Sequence, residues 1–311
     1  MDDPGFRDRG PRHSRARSAA RVVRNLAAVV LIAGAAFLAA GLVYGDPRFV
    51  GLFEFNSGAD AGPAAAPASH PTASQAGRKA GVPADGAQME VPPPGFEEQE
   101  QPLGQPRTPP SASTSYKFLA TNPDGSPVGY SPCRPLHYVV NSALAPKGAE
   151  GLVENAIKTV SEATGITFVN DGPTTEAPSQ SRAPYQKARY GERWAPLLIA
   201  WTTPEQAPQL KGSVIGTGGS THFSFGDGPK SFVTGSLELD APQITQDLDR
   251  GDSSAYATAV ILHELGHVMG LEHVDDPTQL MYPEIGAPDG LAAGDLNGLY
   301  QLGHAPCRKD L

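Results

Sequence analysis

The sequence predicts an α+β domain: one mixed β-sheet, a helix carrying a histidine cluster, and a small C-terminal helical part. Two observations lead there. Between residues 116 and 240, short runs rich in β-branched and aromatic residues follow one another with a single amphipathic helix among them. Ala255 to Leu271 then reads AYATAVILHELGHVMGL, a strong helical pattern, and a second helical stretch follows near the C-terminus.

Leu136 to Asn141, LHYVVN, reads as the first strand of this domain. A helix is expected from about Ala149 to Thr164, because Leu152, Val153, Ile157, Val160 and Ala163 mark one face and Gly165 follows as a stop. Ile166 to Val169 and Leu197 to Trp201 read as further strands, with a loop between them. Ser213 to Phe225 alternates weakly and is broken by Gly216, Gly218 and Gly219, and Ser236 to Leu239 is a last strand. No internal repeat is evident.

The 311 residues divide unevenly. The first 24 carry seven arginines against three aspartates, so the remainder holds about −13 of the net −9. A basic head on an acidic body argues against nucleic-acid binding, which needs basic residues on the folded part. It suggests two compartments. Leu26 to Tyr44 is an uncharged run of 19 residues, about 28 Å of helix, enough to cross a bilayer's hydrocarbon core.

The expected organisation is therefore a basic cytoplasmic segment (1–25), a transmembrane signal anchor (26–44), a disordered Pro/Ala/Gly-rich stalk (45–115) and a folded domain (116–311). The positive-inside rule leaves that domain outside the cell. Val43 and Gly45 are small enough to precede a cleavage point, so secretion after signal cleavage is the other reading. Cys133 and Cys307 suit an oxidising compartment, and a bond between them would close a loop of about 175 residues. Two unrelated thiols are the alternative. A monomer is expected.

Within the predicted helix lie His263, Glu264 and His267. Residues four apart share a helix face, so both imidazoles can address one metal ion, with Glu264 placed to reach a water rather than the metal. Gly270 can end the helix in a left-handed turn, and His273 follows as a third nitrogen ligand. Three imidazoles suit one catalytic zinc with an open fourth position. Histidines satisfied in a core would explain one of the three well and all three badly.

His263-Glu264-Leu265-Gly266-His267-Val268-Met269-Gly270-Leu271-Glu272-His273, followed by Met281, resembles the metzincin metallopeptidases. Met281-Tyr282-Pro283 is similar to their Met-turn as found in matrixins. The resemblance implies a zincin/metzincin-like fold and a zinc endopeptidase acting on protein or peptide substrates, with Glu264 as general base. It further implies that Met281 floors the ligands and that Tyr282 and Pro283 line the specificity pocket. Asp295 falls where the family has a buried acid that ties the domain down; a helix N-terminal acid complementing the dipole is the plainer reading.

Val274 stands where matrixins usually have serine, and Ser131-Pro132-Cys133-Arg134-Pro135 is a poor match to the family's cysteine switch. The segment before the helix offers one histidine, His222, and scattered acids such as Asp227 and Asp240, so a second zinc is not expected and calcium is unsupported. The substrate is expected to lie along an edge strand within Ser213–Phe225. Two other functions fit the residues: a zinc-containing binding module without activity, and a zinc hydrolase of a cell-wall amide.

Overall fold

The computed structural model describes residues 90–249, 254–283 and 290–311. The expected segments 1–25 and 26–44, and the stalk up to residue 89, lie outside the described residues. Among the described residues no helix is long and apolar enough to cross a membrane.

The elements are β1 (Lys117–Phe118), β2 (Leu136–Asn141), α1 (Leu152–Thr164), β3 (Phe168–Pro173), α2 (Lys187–Tyr190), β4 (Leu197–Thr202), β5 (Gly216–Phe223), β6 (Ser231–Asp240), α3 (Ala241–Asp249), α4 (Ser254–Met269), β7 (Leu271–Glu272) and α5 (Ala293–Leu302). Five strands form one mixed sheet in the order β3-β2-β4-β6-β5, parallel except for β5, which runs antiparallel to β6 at one edge. The α+β architecture with a mixed sheet is thus what the chain adopts.

Every residue of β4, LLIAWT, is buried. That continuous apolar run is what a central parallel strand requires when both its faces are covered. α1 buries Leu152, Val153, Ala156, Ile157, Val160 and Ala163 along one stripe and packs against α4, which in turn lies against β5. Val260, Ile261, Leu265, Leu237 and Leu239 join the same core. α4 therefore runs through the middle of the domain.

Several elements differ from expectation: β3 runs from Phe168 to Pro173 rather than from Ile166 to Val169, and β1, β7 and the short α2 were not expected. β6 begins at Ser231, five residues before the expected start at Ser236, because Gly235 does not break it. A β-carbon there would lie 2.5 Å from the Gly219 carbonyl oxygen, so the glycine is what permits close pairing with β5. Helix α3 was not expected. Asp240 caps it, its Oδ1 accepting from Gln243 N at 2.9 Å, and Pro242 sits in the first turn.

Residues 90–115, expected as the end of the disordered stalk, instead run along the domain. Gly95 N donates to Leu311 O at 2.9 Å, Gln99 N to Cys133 O at 2.7 Å, Leu103 N to Pro132 O at 2.9 Å and Arg107 N to Glu162 O at 2.9 Å. A β-carbon on Gly165 would lie 2.5 Å from Pro106 N, so the strap crosses the end of α1 where no side chain fits. Proline-rich composition rules out a regular ladder but not hydrogen bonds taken singly, and the strap makes the latter. Cys133 and Cys307 are bonded, with α-carbons 5.3 Å apart.

Candidate metal centre

α4 carries His263 and His267 one turn apart, and the sequence ends the helix just beyond them. Gly270 takes φ 117°, a conformation that side-chain-bearing residues rarely adopt, and its N–H donates back to Gly266 O at 3.0 Å. The chain then turns through β7 and returns His273 to the same point. His273 Nε2 lies 3.1 Å from His263 Nε2 and 3.1 Å from His267 Nε2.

Such convergence needs both ring nitrogens to have fixed roles. His263 Nδ1 donates to Leu280 O at 2.7 Å and His267 Nδ1 to Leu271 O at 2.8 Å, leaving each Nε2 lone pair directed at the common point. Burial, with His267 alongside, pushes the His263 imidazole down to about 3, so it stays neutral as a ligand must be. Nitrogens about 2.0–2.1 Å from a tetrahedral zinc sit roughly 3.3–3.4 Å apart, and the observed spacing is close to this. The three histidines form a group that could hold a metal ion, and as a donor set they fit zinc.

Glu264 follows His263 on α4 and is 7 % exposed. Edge strand β5 lies directly on it. A β-carbon on Gly216 would fall 2.7 Å from Glu264 Cγ, and one on Gly218 would fall 2.2 Å from its backbone oxygen. The sequence showed these glycines only as interruptions of a weak strand. Their spacing of two, on one face, was the available signal that the strand meets another backbone.

Met281 is buried beneath α4, its sulfur 2.5 Å from where a β-carbon on Gly266 would lie. Asp295, 1 % exposed, holds this segment in place: its carboxylate accepts from Leu280 N at 2.8 Å, Met281 N at 3.1 Å and Ala292 N at 2.8 Å. It thus acts both as the tie to the methionine segment and as an acid in the first turn of α5. Burial raises its carboxyl and the three N–H donors pull against that. Tyr282 is partly buried and Pro283 exposed; the chain beyond them, to residue 289, lies outside the described residues.

His222 lies on β5, away from the three histidines; burial lowers its pKa and its Nε2 is enclosed without a hydrogen-bond partner. Asp240 is taken up by capping α3, and Asp227 is exposed. Asp276 accepts from Thr278 N at 3.0 Å and Thr278 Oγ1 at 2.7 Å, capping the turn that Pro277 makes.

A family model described as Matrixin matches residues 200–302, which span β5, β6 and the whole histidine cluster. The likeness to matrixins covers about a third of the chain. The chain is 34 % identical over 99 residues to a macrophage metalloelastase of Oryctolagus cuniculus, covering 30 % of this chain and 20 % of the relative. It is 46 % identical over 48 residues to a matrilysin of Felis catus, covering 14 % of this chain and 18 % of the relative. The match thus spans about a fifth of the length of these curated relatives. Among solved structures, an archaemetzincin from Methanopyrus kandleri aligns with 54 % of this chain and 94 % of its own, at 17 % identity and a TM-score of 0.37.

Proposed function

We propose that the chain is a zinc-dependent endopeptidase with Glu264 as its general base. One observation carries the reading: three imidazole Nε2 atoms meet at one point, and Glu264, the residue after His263 on the same helix, lies under an edge strand. Zinc held by His263, His267 and His273 would supply Lewis-acid polarisation of the scissile carbonyl and of a water molecule at neutral pH. Glu264 takes the proton from that water and delivers it to the leaving amine. β5 is the edge of the sheet, so an extended peptide can add to its free side by main-chain hydrogen bonds and lie across the histidines.

The domain acts outside the cell on this reading, anchored through residues 26–44. What supports it is the uncharged run of 19 residues after an arginine-rich head, together with a disulfide that suits an oxidising compartment. The segment before residue 90 then serves as the spacer, and residues 90–115 belong with the domain.

The test uses the full chain, wild type beside Glu264→Ala, measuring bound zinc and cleavage of an unstructured protein. One zinc in each with cleavage in the wild type alone is the expected result. Zinc in both with cleavage in neither would favour a binding module, and digestion of wall material but not of protein would favour the amide hydrolase. Wild-type protein without zinc would overturn the reading.

A further inference from the structure

His263 and His267 ride on a long buried helix, whereas His273 stands outside it, on a loop, with its side chain 41 % exposed. What holds that loop is strand β1. β1 pairs antiparallel with β7, Lys117 opposite Glu272 and Phe118 opposite Leu271, and Leu119 N donates to Gly270 O at 2.9 Å. A two-residue strand has no stability of its own, so the course of residues 270–272 depends on this partner.

Two ligands are reached through the same pairing. Leu271, opposite Phe118, is the residue whose carbonyl accepts the Nδ1 proton of His267. Two residues later the chain delivers His273. Side chains extend the contact: Lys117 Nζ lies 3.2 Å from Asp275 Oδ2, and Ser115 hydrogen-bonds Asp276. Beneath both strands is Gly298 of α5, where an added β-carbon would meet Leu271 Cδ2 at 2.6 Å and Tyr116 Cβ at 3.0 Å.

We propose that β1 is a positioning strand for the metal centre: by pairing with β7 it fixes His273 and the carbonyl that orients His267, and so sets the affinity for zinc. This rests on the reading that the three histidines hold zinc. Partners one shell out from a metal commonly change affinity about 10–100-fold when removed. Here the partner is a main chain some 150 residues away in sequence from the ligands it positions. A cut or a distortion between residues 111 and 119 would therefore act on the zinc site without touching a ligand.

The experiment compares the full-length wild type with Leu119→Pro, Leu119→Ala and Lys117→Glu. Leu119 is 40 % exposed and Phe118 before it is already extended, so proline removes the N–H donor with little side-chain loss. Zinc dissociation constants are read by chelator competition, and unfolding midpoints are read in excess chelator. Leu119→Pro is expected to weaken zinc at least about tenfold while its metal-free midpoint stays near that of Leu119→Ala, which itself binds as the wild type does. Lys117→Glu changes only an exposed side chain, sets a like charge opposite Glu272 and Asp275, and is expected to weaken zinc about threefold. Zinc binding within twofold of wild type in both Leu119→Pro and Lys117→Glu overturns the inference. So does a loss in Leu119→Pro accompanied by a collapsed metal-free midpoint with Lys117→Glu unchanged. A wild type that binds no zinc fails at the earlier reading instead.

Discussion

A β-carbon on Gly218 would lie 2.2 Å from the backbone oxygen of Glu264, so the edge strand and the histidine-bearing helix touch main chain to main chain. Nothing in that contact is the far end of a flexible side chain, so Gly218→Ala must push the strand away. The expected cost is about 1–3 kcal/mol, as for other overpacked sites. Gly219, one residue on, has nothing within 4 Å of the same position. Gly219→Ala should therefore stay within about 0.5 kcal/mol of wild type. Urea unfolding of the pair decides the matter: equal midpoints would mean that β5 is not held against α4.

Asp295 accepts three backbone N–H groups from inside the core, and replacing it with alanine leaves all three without their acceptor. At about 1–3 kcal/mol for each buried donor, Asp295→Ala should cost roughly 3 kcal/mol or more, with Asp295→Asn intermediate. The consequence reaches the metal centre, since Leu280, held by Asp295, accepts the Nδ1 proton of His263. Zinc affinity, read by chelator competition, should fall on the order of tenfold in Asp295→Ala. Lost stability with unchanged affinity would confine Asp295 to tying down the fold.

How far the sequence could be read depended on the range over which each signal acts. His263, His267 and His273 were legible because helix periodicity and one glycine turn place them within a single local stretch. Strand β4 was legible because a strand buried on both faces has to be apolar along its length, and β2 by its β-branched and aromatic residues. Leu119 could not be found this way, because a main-chain donor bonding Gly270 leaves no mark on its own side-chain type. Gly216 and Gly218 were legible only as breaks, since a missing side chain records that something is near but not what it is. The strap at 90–115 is hidden in the sequence for a related reason: its proline-rich composition conceals Glu98, whose carboxylate is buried in the domain.

The pH dependence of the metal-free protein follows from His263. Burial lowers its imidazole from 6.5 to about 3, so between those values the unfolded chain binds a proton that the folded chain excludes. Its contribution to stability is fully present above pH 6.5 and is lost as the pH falls toward 3. Urea midpoints in excess chelator should therefore drop between pH 7.5 and 4.5 more steeply in wild type than in His263→Gln. Parallel pH profiles would show that His263 takes up its proton within the folded state.

The disulfide and Glu98 secure one corner of the domain together, so their contributions should not simply add. Ser131 Oγ and Arg308 N, each close in sequence to one of the bonded cysteines, both donate to Glu98 Oε1, and Arg134 Nη1 stands 3.8 Å from Oε2. Replacing Cys133 and Cys307 with serine releases a loop spanning 174 positions and should cost about 2–5 kcal/mol. Glu98→Ala leaves Ser131 and Arg308 without their acceptor and removes the strap's buried anchor. Once the cysteines are free to part, those donors can turn to water, so the second loss should be smaller than it is alone. A double-mutant cycle on unfolding free energies is expected to show coupling of about 1 kcal/mol. Additivity within about 0.5 kcal/mol would mean that the strap and the disulfide hold the domain independently.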